Sequence, residues 1–137
     1  ELDAQRKQAV DFVRQSYVGR ASALQPIIED VSKRGREGVK NWLGLVGTWV
    51  RDLVLARAAG DAAPLVYVDV QDITQKFVAH VPGADLDAMS ALVDDAIALI
   101  SGNTPSALVL TTLSFALREA MHGRPRHTLA VPLDQAA

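Results

Sequence analysis

The sequence contains no cysteine and few aromatic residues. None of its 137 residues is Cys, and only 5% are Phe, Trp or Tyr. The absence of Cys excludes a disulfide framework, a cysteine nucleophile and a thiolate metal site. Hydrophobic residues still make up 49% of the chain, chiefly Ala, Val and Leu, and this composition favours helices packed on helices. A chain of this length can form one domain that buries roughly 68% of its unfolded surface.

The chain also lacks a strong excess of either charge and lacks a long uninterrupted hydrophobic run. Its net charge is −2 and 22% of its residues are charged, which argues against disorder and against an ordinary nucleic-acid binder. The two stretches poorest in charge, 38–50 and 96–118, are broken by polar residues, Gly or Pro, so neither predicts a membrane span. Residues 1–60 carry a net charge of +3 and residues 61–121 a net charge of −6. This asymmetry suits head-to-tail contact between similar domains.

The sequence begins with Glu1 instead of Met, and its first 15 residues are polar and charged. That composition predicts neither a signal peptide nor a transit peptide. A start of this kind predicts either a processed protein or, as the favoured interpretation, a fragment of a longer parent protein. In the second case we expect the functional site of the parent to lie outside this sequence.

Apolar residues recur at three- and four-residue intervals in six segments, which predicts six helices. The segments are about 3–18, 21–33, 39–59, 70–80, 86–101 and 106–121. Asp69, Asp85 and Thr104 are predicted N-caps, with Pro105 at the first position of the last helix. Residues 60–68 have no partner strand and are predicted to be an extended connection packed on the bundle. The prediction is an all-α, five- to six-helix orthogonal bundle over residues 1–121, followed by a tail over 122–137.

The third segment has the strongest helical pattern. Its apolar stripe, from Val39 to Val54, includes both tryptophans, and we expect them to lie in the core and not at an interface. Two charged residues, Arg51 and Asp52, lie beside the stripe. We expect them to form hydrogen bonds or an ion pair with a neighbouring helix or loop.

No motif for catalysis or cofactor binding is found. The histidines lack the i,i+4 spacing of a helical metal site, and there is no glycine-rich phosphate loop. Four carboxylates near the fifth segment fit a solvated polar face better than a metal or acid–base site. The histidines are His80, His122 and His127, and the four carboxylates belong to Asp85, Asp87, Asp94 and Asp95. We therefore expect no enzyme activity and no cofactor in this sequence. A small helical enzyme with an acidic pocket is kept as an alternative.

A cluster of basic residues lies at the glycine-rich junction between the second and third segments. It consists of Lys33, Arg34, Arg36 and Lys40. Clustered positive charge is what binds phosphates, so these four residues are candidate DNA contacts, and a helical nucleic-acid-binding module is a second hypothesis. A solvated helix surface is the simpler interpretation of so small a cluster.

Several blocks of the sequence, in the same order and spacing, resemble one known family. Residues 41–57 contain a W-x-R-D-L-x-L pattern, followed by Tyr67-Val68-Asp69 in a loop. Residues 102–110 are similar to an N-x-N-P-x-L-x-L-E pattern that opens a last helix. The chain thereby resembles, over roughly residues 4–133, the C-terminal collar domain of bacterial DNA polymerase III clamp-loader subunits, and delta-prime subunits most. The collar domain of gamma/tau subunits is the alternative.

The resemblance implies an oligomerisation domain, not an enzyme, in a parent protein that is a subunit of DNA polymerase III. Collar domains assemble the cytoplasmic complex that loads the sliding clamp on DNA during replication. The implied partners are the other clamp-loader subunits, gamma/tau and delta, with DNA contacted only indirectly and no membrane. We expect the contact surface on the outer faces of the last two helices, including Asn103, Arg118 and Glu119.

Overall fold

The chain folds into six α-helices in a computed structural model, which describes residues 2–124 and 128–129. The helices are α1 (Leu2–Val18), α2 (Ala21–Ser32), α3 (Gly35–Ala59), α4 (Gln71–His80), α5 (Leu86–Ser101) and α6 (Ser106–Met121). Short 3₁₀ turns occupy Gly60–Ala62 and Val68–Val70, and the described ranges contain no β-strand. The predicted all-α helical bundle is confirmed.

Helix α3 forms the centre of the bundle and contacts α1, α2, α4 and α5. Its stripe buries Trp42 and Trp49 completely, so the prediction that both tryptophans lie in the core is confirmed. The Trp42 ring meets the edge of Phe12 from α1, with ring centres 5.2 Å apart. Val54 departs from the predicted stripe, because it is exposed and lines an open surface cleft beside Leu86 and Asp87 at the start of α5.

The connection from α3 to α4 has no strand, as predicted, but it is not extended throughout, because Gly60–Ala62 and Val68–Val70 form 3₁₀ turns. One residue anchors it. Tyr67 is buried while its neighbours Val66 and Val68 are exposed. The prediction that Asp69 caps α4 is wrong. Asp69 lies inside the 3₁₀ turn, α4 begins two residues later at Gln71, and Val70 in the N-cap position provides no side-chain hydrogen bond.

Helices α5 and α6 pack against each other in opposite directions, since the backbone N–H of Asp85 before α5 donates to the carbonyl of Ala120 near the end of α6. The prediction for Thr104 and Pro105 is wrong by one residue. The helix begins at Ser106, and Pro105 has φ −56° and ψ 131°, which is an extended conformation outside the helical region.

The predicted N-cap at Asp85 is confirmed. Its carboxylate accepts a hydrogen bond from the backbone N–H of Ala88 at 2.9 Å. Because this bond satisfies one of the free N–H groups at the start of α5, we expect Asp85→Ala to lower the free energy of unfolding by about 1 kcal/mol. Urea unfolding followed by far-UV circular dichroism measures this loss. The matched control is Asp94→Ala, an exposed aspartate in the middle of the same helix, and an equal loss in the control would contradict the capping role.

Part of the predicted tail packs on the bundle. The side-chain hydroxyl of Thr128 and the backbone N–H of Leu129 both donate to the carboxylate of Asp95 on α5, and the Leu129 side chain is buried. The rest of that tail, including His127, lies outside the described residues except for 122–124. Within the described ranges no helix has both the length and the hydropathy that crossing a bilayer requires.

Candidate interaction surface

The three residues predicted at a subunit interface occupy the two ends of α6. Arg118 and Glu119 lie in its last turn, whereas Asn103 lies before its first residue. At 1.5 Å per residue, about 18 Å of helix axis separates Ser106 from Arg118. The structure therefore does not bring Asn103 together with the other two.

Asn103 is exposed and ends α5. It has φ 71°, its N–H donates to Ile100, and the N–H of Thr104 donates to Leu99. This pair of bonds is the Schellman arrangement, in which Asn is one of the few residues that tolerate the left-handed conformation. Asn103 therefore terminates α5 through its backbone, and the residue is exposed to solvent.

Arg118 and Glu119 both lie close to neighbours within the chain. The exposed Arg118 lies across the α1–α2 turn, where a Cβ placed on Gly19 would lie 2.7 Å from Arg118 Nε. Glu119 is half-buried and accepts a hydrogen bond from Arg124 Nε at 2.8 Å. This hydrogen bond lowers the pKa of Glu119 below its ordinary value.

Two large apolar side chains on the outer face of α6 were missed by the sequence analysis. Leu108 is 59% exposed and Phe115 is 64% exposed. They are seven residues apart, which is two helical turns, so they share one face. The signal was present in the sequence, because both positions fall outside the buried stripe of α6. That stripe is Val109, Leu110, Leu113, Ala116, Leu117 and Ala120.

The predicted basic cluster lies around the α2–α3 turn, and two of its four members are paired. Arg34 Nη2 donates to the Asp30 carboxylate at 2.8 Å, and Lys40 Nζ lies 3.3 Å from Glu37. Hydrogen bonds from Gln8 and Arg34 lower the pKa of Asp30. Lys33 and Arg36 are exposed, so the positive charge available to a phosphate is smaller than the sequence suggested.

Of the four acidic residues predicted near α5, Asp85 and Asp87 line one surface cleft of about 470 Å³, and Asp94 and Asp95 are not part of it. Asp87 and Asp94 are exposed, Asp85 caps the helix, and Asp95 holds the Thr128–Leu129 segment. No group of three or more His, Asp or Glu side chains in the described part of the chain could hold a metal ion. His80 and His122 instead pack against the Tyr17 ring, at 5.5 and 4.6 Å between ring centres.

Asp52 performs the structural role that the sequence predicted for it. The carboxylate is completely buried and accepts hydrogen bonds from the backbone N–H groups of Val66 at 2.9 Å and Tyr67 at 2.8 Å. Its neighbour Arg51 is exposed. Asp52 therefore ties the α3–α4 connection to the central helix.

Tyr67 completes this attachment. Its phenol donates to the carbonyl of Leu45 at 2.6 Å, and burial raises the pKa of Tyr67 to about 12. The fold thus favours the neutral phenol. The stability that the buried neutral phenol contributes is complete below pH 10.0, the ordinary pKa of tyrosine. It is lost as the pH rises through the raised pKa of about 12.

In comparisons with known proteins, no family model, curated protein or solved structure matches this chain. The fold class rests on the structure, and the family resemblance of the sequence stays a prediction. The outer face of α6 exposes two large apolar side chains, Leu108 and Phe115, on one helix face.

Proposed function

We propose that this chain is the collar domain of a bacterial DNA polymerase III clamp-loader subunit, of the delta-prime type. In this role it contacts the gamma/tau and delta subunits in the cytoplasm and helps to assemble the complex that loads the sliding clamp on DNA. It acts as an assembly domain and has no catalytic role. The order and spacing of the sequence blocks over residues 4–133 support the family, and the six-helix bundle is compatible with it.

The observation that carries the proposal is the apolar outer face of α6. Leu108 and Phe115 leave 59% and 64% of their surfaces in contact with water. Exposed apolar side chains on one helix face, with polar residues around them, are typical of protein–protein contacts. Aromatic anchors often supply a large share of binding energy at such contacts. Arg118 and Glu119, one turn beyond Phe115, form the polar margin of this face.

Binding to partner subunits tests the proposal. Purified gamma/tau and delta subunits are immobilised in turn, and capture of the chain is measured by titration. We expect capture by at least one of them and expect Phe115→Glu to weaken it at least about tenfold, because a charge replaces an apolar anchor. If none of the immobilised subunits captures the chain, the family assignment is wrong.

A matched control separates the α6 face from a general effect of surface charge. Val68 is 66% exposed, nearly the same as Phe115, but lies in the 3₁₀ turn before α4. We expect Val68→Glu to bind normally. Equal weakening by the two variants would contradict the assignment of α6 as the contact surface.

A further inference from the structure

A groove runs between α1 and α4 on a different part of the surface from α6. It consists of two adjoining clefts of about 480 Å³ and 390 Å³. The first is lined by α1 residues together with Val70 and Ile73, and the second by Arg14 together with α4 residues. Arg14 and Ile73 line both clefts, so the two form one continuous depression, which we call the α1–α4 groove.

Aromatic contacts bound the groove at its two ends. At one end the guanidinium of Arg6 lies 5.3 Å from the centre of the Tyr67 ring. At the other end the ring of Tyr17 is 6.0 Å from Phe77 and 5.5 Å from His80. Both helices therefore run along the groove in the same direction. The seven steps from Lys7 to Arg14 correspond to about 10 Å of helix axis, nearly two helical turns, so the groove is long enough to hold two turns of a bound helix.

The floor of the groove is apolar and its walls are mainly cationic. Val10, Val70, Ile73 and Phe77 form the floor. Charged side chains on both walls border that floor: Lys7, Asp11 and Arg14 from α1, and Lys76 from α4, with His80 beside it. The residues that line the groove thus include three cations and one carboxylate. Two more carboxylates lie just outside it: Asp3 beside Lys7, and Asp72, which lines a neighbouring cleft together with Lys76.

The cations of the groove are available to a ligand. Arg14 and Lys76 are exposed. Lys7 is exposed too, and its contact with Asp3 is long at 3.9 Å, between two side chains that are more than 60% exposed, so this pair contributes little to stability. A partner carboxylate could displace it at small cost.

We propose that the α1–α4 groove binds an acidic amphipathic helix of a partner protein. The aliphatic side chains of that helix would pack on Ile73 and Phe77, and its carboxylates would pair with Arg14 and Lys76. An amphipathic helix laid in an apolar groove is a common mode of peptide recognition, and complementary charge selects the partner and the direction of docking. This inference does not depend on the proposed collar function, because it concerns a different surface.

The composition of the groove favours a peptide over the two other occupants that its charge would allow. A nucleic acid would use the cations through its phosphates but would leave the apolar floor uncovered. A second copy of this chain offers acidic residues on the exposed face of α5, at Asp87 and Asp94, yet the only exposed side chains between them are the small ones of Ser90 and Ala91. Neither a nucleic acid nor that face of α5 fills a floor that includes Ile73 and Phe77.

Titration with designed peptides tests the proposal. The probe is a fluorescently labelled helical peptide with leucines on one face and glutamates beside them, and the matched peptide has lysine in place of every glutamate. We expect the glutamate peptide to bind and to shift amide resonances of α1 and α4, and expect binding to weaken as salt is added. Equal affinity for the two peptides, or shifts confined to other helices, would overturn the proposal.

Paired charge reversals locate the site. We expect the double variant Arg14→Glu/Lys76→Glu to lose at least about tenfold in affinity for the glutamate peptide. The control is Lys33→Glu/Arg36→Glu, which changes net charge by the same amount at two exposed residues outside the groove. Equal losses in both double variants would overturn the assignment. The proposal would also be overturned if the chain bound duplex DNA more tightly than the glutamate peptide. The same holds if the chain self-associated and the double variant Arg14→Glu/Lys76→Glu abolished that self-association.

Discussion

Replacing Trp49 with alanine is expected to lower the free energy of unfolding by about 4 kcal/mol, within the range for large aromatic side chains removed from a core. The indole is completely buried, lies 5.4 Å from the ring of Phe77 and donates from Nε1 to the hydroxyl of Thr74 at 2.9 Å. The substitution therefore leaves a cavity between α3 and α4. Urea unfolding followed by far-UV circular dichroism measures the loss.

The second tryptophan provides the comparison. Trp42 is buried to the same extent, but no hydrogen-bond partner for its Nε1 is found among the described residues. We therefore expect Trp49→Phe to destabilise the fold by about 1 kcal/mol more than Trp42→Phe, which is the usual net contribution of one hydrogen bond. Equal losses for the two phenylalanine variants would mean that the bond to Thr74 contributes nothing.

Asp52→Asn is expected to cost about 3 kcal/mol of stability. Both carboxylate oxygens accept backbone N–H groups, from Val66 and Tyr67, and the side chain has no contact with solvent. An amide keeps one acceptor but directs its own N–H₂ group at one of those donors. A buried donor without an acceptor carries its full desolvation cost.

The control for this variant is Asp87→Asn, because Asp87 is exposed. A surface substitution of this kind changes stability by about 0.5 kcal/mol or less. Equilibrium unfolding in urea compares the two variants with the original chain. If Asp52→Asn also lowers the free energy of unfolding by only about 0.5 kcal/mol or less, the carboxylate does not hold the α3–α4 connection in place.

The helices were predictable because the periodicity of apolar residues reports burial directly. The stripe of α3 and the cap at Asp85 depend on residues close in sequence, and both were identified correctly except for Val54 at the end of the stripe. The errors at Asp69 and Thr104 concern helix starts. There, one more residue in a 3₁₀ or extended conformation moves the boundary without changing the apolar pattern.

The interaction surfaces were less predictable because they depend on pairs of residues distant in sequence. The sequence suggested a cluster of four free cations, although the pairs Asp30–Arg34 and Glu37–Lys40 have i,i+4 and i,i+3 spacing and could have been identified from it. It could not show that Arg34 also donates a hydrogen bond to Gln8, which lies 26 positions away in α1. The α1–α4 groove joins residues about 60 positions apart, and no local pattern indicates it. Leu108 and Phe115 could have been identified from their spacing alone.

The close approach of Arg118 to Gly19 has a consequence for how this molecule can vary. Gly19 has φ 75°, which disfavours any residue with a Cβ, and such a residue would also collide with the Arg118 guanidinium. That guanidinium is the far end of a flexible, exposed side chain and can move aside, so the positive φ is the lasting obstacle to another residue at position 19. We therefore expect the turn between the first two helices to keep glycine, whereas position 118, at the margin of the proposed contact face, can change without a matching change in the turn.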